Sequence, residues 1–126
     1  MLKIDWQSGV PAYDQIVQGF IKLIVIGAMS AGDKMPSVRA MAAKLGVNPN
    51  TVQKAYLILE EKGIIYSVAG RGSFISEGEE AKNLVISSVK NEFKKAAAEV
   101  LRYGISKDEI IDIVNSIYEE GEKRDD

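Results

Sequence analysis

The chain has 126 residues, 46% of them apolar, a formal net charge of −2 and neither cysteine nor histidine. That length suits one domain, or one domain with a small appendage. Without cysteine there is no disulfide framework, thiolate nucleophile or Cys-based zinc site, and without histidine the commonest general base and metal ligand are both missing.

The charge is unevenly spread. Residues 1–76 carry eight Lys and Arg against five Asp and Glu, a balance of +3, while residues 77–126 carry eight against thirteen, a balance of −5. A basic first half is permissive for a polyanionic partner, and an acidic second half would be repelled by phosphate.

Met1 to Val10 reads as an extended arm, with Ile4, Trp6 and Val10 alternating with Asp5, Gln7 and Ser8. Trp6 is expected to pack this arm down, an interface or ligand aromatic being the other reading. Pro11 sits where proline favours the start of a helix. Tyr13, Ile16, Val17, Phe20, Leu23 and Ile24 then form one broad apolar face, widened by Ile21 and Ile26. The longest apolar stretch, Leu23 to Ile26, is bounded by Lys22 and Gly27, too short to span a bilayer. No signal-peptide pattern precedes it, so no membrane partner and a cytoplasmic location are expected. Residues 27–35 read as a loop, with a short strand at Lys34-Met35.

Residues 36–76 are the centre of the chain. Ser37 is a helix N-cap, followed by Met41, Ala42 and Leu45 at helical spacing and a stop at Gly46. Val47 anchors the turn. Asn48 caps a second helix whose first position is Pro49. Val52, Ala55, Tyr56 and Leu59 share one side of it, which leaves Asn50, Thr51, Gln53 and Lys54 on the other side and at the N-terminal end. Lys62-Gly63 ends it. Ile64-Ile65-Tyr66 and Ser73-Phe74-Ile75 read as strands joined by the turn Gly70-Arg71-Gly72. Two short helices followed by a hairpin form the outline of a winged helix-turn-helix, which places its second helix in the major groove of DNA. Asn and Gln pair bidentately with adenine, and Thr offers a methyl and a hydroxyl. Arg39 would reach a phosphate or a guanine, and Arg71 suits backbone or minor-groove contact. Singly, these polar residues are ordinary solvated or capping residues; their arrangement carries the inference.

After Ser76 the composition shifts. Glu77 to Glu80 reads as a hinge, then Leu84, Val85, Val89, Phe93, Ala96, Ala97, Val100 and Leu101 follow helical spacing for about six turns. Gly104 ends that helix. Ser106 and Glu109 form a capping box, with Ile105 and Ile110 as a hydrophobic staple. Ile110, Ile113, Val114, Ile117 and Tyr118 form a narrow stripe on a last helix that Gly121 is expected to end, leaving a solvated tail to Asp126. Two amphipathic helices cannot close a core alone. Their partner is either the winged helix of the same chain or the same hairpin of a second chain; the second is favoured, giving a homodimer through residues 80–120 with a four-helix arrangement.

The stretch from Pro11 to Ser76 resembles the N-terminal domain of the GntR superfamily of bacterial transcription regulators. The resemblance is carried by Gly32-Asp33-Lys34-Met35-Pro36-Ser37-Val38-Arg39, Leu45-Gly46-Val47, Asn48-Pro49-Asn50-Thr51-Val52, Ala55-Tyr56, Leu59-Glu60 and Gly70-Arg71-Gly72. The short remainder resembles the YtrA-type subfamily, in which two helices replace a large effector domain. Carried over, the resemblance implies DNA contacts from Ser37 and Arg39, from the stretch Asn48, Pro49, Asn50, Thr51, Gln53 and Lys54, and from the wing tip Gly70, Arg71 and Gly72. Two departures are Ala31, where proline is frequent and whose absence should loosen a loop, and Val68-Ala69, where a basic residue is frequent. The second leaves the wing's charge to Arg71 alone.

The expected fold is therefore mainly α with a small β-wing: a winged helix-turn-helix over residues 1–76 and a two-helix dimerisation region over residues 77–126. The expected function is a homodimeric, sequence-specific regulator, a repressor on an inverted-repeat operator in double-stranded DNA. The alternative is a winged-helix protein-interaction module that reads no DNA. No enzyme, metal or cofactor is expected, since Glu60-Glu61, Glu79-Glu80 and Asp108/Asp112 lie with no credible base or nucleophile. A small-molecule effector of unknown identity would bind at the dimer interface or between the two halves, because fifty residues are few for an enclosed pocket.

Overall fold

The computed structural model describes residues 2–124; Met1, Asp125 and Asp126, at the ends of the expected arm and tail, lie outside the described residues. The order of elements is α1 (Ala12–Val25), α2 (Val38–Leu45), α3 (Pro49–Glu61), β1 (Ile65–Val68), β2 (Gly72–Ile75), α4 (Glu80–Arg102) and α5 (Lys107–Arg124). The chain divides into two compact units, Met1–Ser87 and Ser88–Asp126.

The first unit is a winged helix. Its core gathers Ile16, Val17, Phe20 and Ile21 from α1, Met41 and Ala42 from α2, and Val52, Ala55, Tyr56 and Leu59 from α3. Pro11 stands one place before α1, its carbonyl accepting the first helical bonds from the Asp14 and Gln15 amides. The hairpin pairs antiparallel, Ile65 with Ile75 and Val68 with Gly72. The strand begins one residue later than the apolar run suggests, because Ile64 is turned into the core. Residues 32–35 add a third edge to β2: the Gly32 amide donates to the Ile75 carbonyl and the Met35 amide to the Ser73 carbonyl, with Lys34 bridging Phe74. The short strand expected at Lys34-Met35 is this edge. The preceding turn, which holds Ala31, is closed by Ser30 and Asp33, whose backbone and carboxylate groups hydrogen-bond each other reciprocally.

The arm is held differently from expectation. Trp6 does not pack it down: the residue is 69% exposed. Leu2 takes that place, seated over Gly19 of α1, where any Cβ would collide with the Leu2 side chain. The Gln15 side chain completes the attachment. Its Oε1 accepts from the Asp5 amide at 2.8 Å, and its Nε2 donates to the carbonyls of Asp5 and Val10 and to Ser8 Oγ.

Composition shifts at Ser76, yet the compact units divide after Ser87. The reason is packing: Ala81 is buried in the winged-helix core, and Leu84 and Val85 pack against it. In the second unit, Ser106 caps α5 through the Glu109 amide. Helix α5 runs on through Gly121 to Arg124. Glycine ends a helix by entering the left-handed region, and Gly121 stays helical. Glu119, Glu120, Glu122 and Lys123 around it are good helix formers, which favours the extra turn.

Replacing Gln15 by Ala should cost about 1–2 kcal/mol in urea unfolding, from several exposed hydrogen bonds of modest net worth. Amide exchange at Asp5 should accelerate while that of α3 is unchanged; equal acceleration in both would contradict a local role for Gln15.

Candidate DNA-binding surface

Helix α3 is placed by its buried stripe. Val52, Ala55 and Leu59 are fully buried and Tyr56 nearly so, which turns the opposite side outward. Asn50, Gln53 and Lys54 are exposed there and Thr51 is half-buried. Asn48 caps the helix, its Oδ1 accepting from the Asn50 amide at 2.8 Å, so this side chain keeps its Nδ2 donors for another partner. Pro49 occupies the first helical position and is exposed. The turn between α2 and α3 needs Gly46, whose φ of 69° and ψ of 36° lie in the left-handed region that side chains disfavour.

Ser37 caps α2 by accepting from the Ala40 amide at 3.1 Å. Arg39 follows in the first turn, exposed and, among the described residues, in no ion pair. At the wing, Gly70 and Arg71 are exposed in the turn and Gly72 opens β2. The structure thus places Ser37, Arg39, Asn48, Pro49, Asn50, Gln53, Lys54 and Gly70 to Gly72 on the surface, with Thr51 half-buried beside them and two of the set, Ser37 and Asn48, also serving as caps.

Four contacts were not foreseen from the sequence. The Tyr56 hydroxyl donates to the Pro36 carbonyl at 2.7 Å, tying α3 to the entry of α2. The Tyr56 ring meets Phe20 of α1 edge-on at 5.8 Å, and burial pushes its phenol up to about 12. The Lys54 ammonium stands 3.9 Å over the Tyr13 ring, a cation–π contact between α3 and the start of α1. Finally, the wing's charge does not rest on Arg71 alone, because the Lys34 side chain runs beside Gly72. No signal local in the chain links residues this far apart.

An exposed polar row on the first turns of the second helix, backed by a three-edged wing, defines a winged helix-turn-helix regulator of the DNA-binding class. The profile described as "Bacterial regulatory proteins, gntR family" matches residues 12–75, and the chain belongs to that family. It is 37% identical over 121 residues to the HTH-type transcriptional repressor YtrA of Bacillus subtilis, covering 93% of this chain and 92% of that protein, which places it with the YtrA-type members. A GntR family transcriptional regulator from Listeria monocytogenes superposes with a TM-score of 0.78 at 39% identity, covering 88% of this chain and 98% of the other. The AraR DNA-binding domain in complex with operator ORX1 superposes with a TM-score of 0.55 at 26% identity, over 59% of this chain and 94% of that one. These relatives are transcriptional regulators, not enzymes. Among the described residues no group of side chains is arranged to hold a metal ion, and no helix is long and apolar enough to cross a membrane.

The raised phenol has a consequence in alkali. Its folded pKa, about 12, exceeds its ordinary value of 10.0, so the stability tied to the neutral phenol is complete below pH 10 and is lost as pH rises through about 12. Absorbance titration of tyrosinate should show a late step near pH 12 that Tyr56→Phe abolishes. The same substitution should destabilise the fold by about 0.5–1.5 kcal/mol at neutral pH. A late step that persists in the variant would assign it to another tyrosine.

Proposed function

We propose that the chain is a homodimeric transcriptional repressor that reads an inverted-repeat operator in double-stranded DNA. The carrying observation is the outward face of α3, where Asn50, Thr51, Gln53 and Lys54 project from the first turns with nothing apolar among them. Bidentate amides, a hydroxyl and a cation are the groups that read base edges. Arg39 from α2 and Arg71 from the wing flank this row as contacts to phosphate or base, and Ser37, Asn48, Pro49, Gly70 and Gly72 bring backbone and caps close to the duplex. The likeness to a domain titled as bound to an operator, and to a relative named a repressor, supports this reading. A protein-docking role for the same surface would call for aromatic or aliphatic anchors. The one large apolar side chain exposed on α3 is Leu57, beyond the polar row.

The second unit supplies the reason for dimerisation. Val89, Phe93, Ile113, Ile117 and Tyr118 are all more than half exposed. Val89 and Phe93 of α4 and Val114, Ile117 and Tyr118 of α5 line an open groove of about 660 Å³. Among the described residues, α4 and α5 make no close backbone approach to each other, so the apolar stripes of this unit are not buried within it. A second copy of the hairpin buries them. Residues 77–126 are then the dimerisation region and residues 1–76 the DNA-binding domain, two of which face half-sites about one helical turn apart, ~34–36 Å.

Two substitutions test the two halves of this reading. Arg39→Ala should cost roughly 1–3 kcal/mol of discrimination at one operator position if the guanidinium reads a base. If it meets phosphate, affinity should instead fall evenly on all sequences and the salt slope shrink by about one. Binding equal to wild type would remove Arg39 from the surface. Phe93→Glu should convert a sedimenting dimer to monomer and reduce operator affinity by at least about a hundred-fold through lost bivalency. A variant still dimeric would place the interface elsewhere.

A further inference from the structure

We infer that Lys34 is a phosphate-binding residue of the wing, delivered there by the third edge of the sheet; the inference rests on the reading of this domain as DNA-binding. Lys34 bridges Phe74 antiparallel. Directly opposed residues in such a ladder share a face, and so do diagonal neighbours two positions along. Gly72 is the diagonal neighbour of Lys34 on that face, and Tyr66, which opposes Phe74 from the other side, lies on it too. The Tyr66 and Phe74 rings stack at 5.7 Å and cover that face beside the lysine.

Gly72 makes the path. A Cβ there would stand 3.1 Å from Lys34 Cε and 3.9 Å from Nζ, so the hydrocarbon stem runs through the space that a side chain would fill. The φ of Gly72, 105°, excludes other residues on backbone grounds as well. The ammonium emerges beside Gly72, the residue that follows Arg71 of the wing tip in the chain. Among the described residues Lys34 has no carboxylate partner, and it is exposed. A cation held by its stem at the edge of a wing, with its charge uncompensated, is suited to a sugar–phosphate backbone and carries no sequence information.

The charge and the stem separate by substitution in the full chain. Lys34→Met keeps the hydrocarbon beside Gly72 and removes the ammonium; Lys34→Arg keeps a cation. Binding is measured on a duplex recovered by selection from a random pool and on a scrambled duplex, each over a range of salt. Lys34→Met should lower affinity by the same factor on both duplexes and reduce the salt slope by about one, with the melting temperature unchanged. Lys34→Arg should restore both affinity and slope. A salt slope equal to wild type for Lys34→Met overturns the inference, and so does a loss shared by Lys34→Arg together with a fall in melting temperature, which would make the lysine a structural prop. Failure of the wild-type protein to prefer the selected duplex would sink sequence reading by the domain while the Lys34→Met slope still reports on Lys34. Absence of wild-type binding to either duplex would sink both.

Discussion

Burial of one stripe of α3 governs the rest of this molecule. Val52, Ala55, Tyr56 and Leu59 recur at the spacing of a helix face, and each large one is worth about 1.5–3 kcal/mol when removed from water. Once that stripe is buried against α1 and α2, the helix has no rotational freedom left. Asn50, Gln53 and Lys54 must point away from the core. The polar face is a by-product of packing, and it is available for recognition without any cost in the core. Tyr56 adds direction to this constraint. Its ring sits against Phe20 while its hydroxyl reaches the Pro36 carbonyl, so one side chain sets α3 against both α1 and the entry of α2. Arg39, three residues after Pro36, is therefore positioned by the same contact that positions the recognition helix.

The two units solve the problem of apolar surface in different ways. The first closes a core from three helices, a sheet and the opening turns of α4. The second has two amphipathic helices and leaves its large apolar side chains open. Such a surface is characteristic of a face that another chain covers. Charge is unevenly spread as well: residues 1–76 are net +3 and residues 77–126 net −5, so phosphate attracts the first stretch and repels the second.

What was legible in the sequence was local. Ser37, Gly46, Asn48 and Pro49 mark helix ends through contacts with their own neighbours, and the boundaries of α2 and α3 fall where these residues put them. The hairpin turn and the apolar stripes were equally visible, because periodicity and turn chemistry are written in adjacent positions. What escaped was non-local. Nothing near Trp6 shows that Leu2, by fitting over Gly19, leaves the tryptophan outside. Nothing near Lys34 shows that Gly72 opens a path for it, or near Lys54 that Tyr13 lies beneath it. Gly121 misled for a related reason: glycine permits a helix end but does not compel one, and its neighbours favour continuation. Among the candidate surface residues, type, placement and the two caps Ser37 and Asn48 were readable; the crosslink from Lys54 to Tyr13 emerged only from the packed structure.

In the proposed dimer, two copies of the α3 face read DNA together. Selection of bound duplexes from a random pool, at two salt concentrations, tests it most directly. The expected result is recovery of an inverted repeat whose half-sites lie about one helical turn apart, with the same motif at both salts. Recovery of no motif, with weak binding that vanishes as salt rises, would contradict it and leave only the electrostatic attraction of a basic surface.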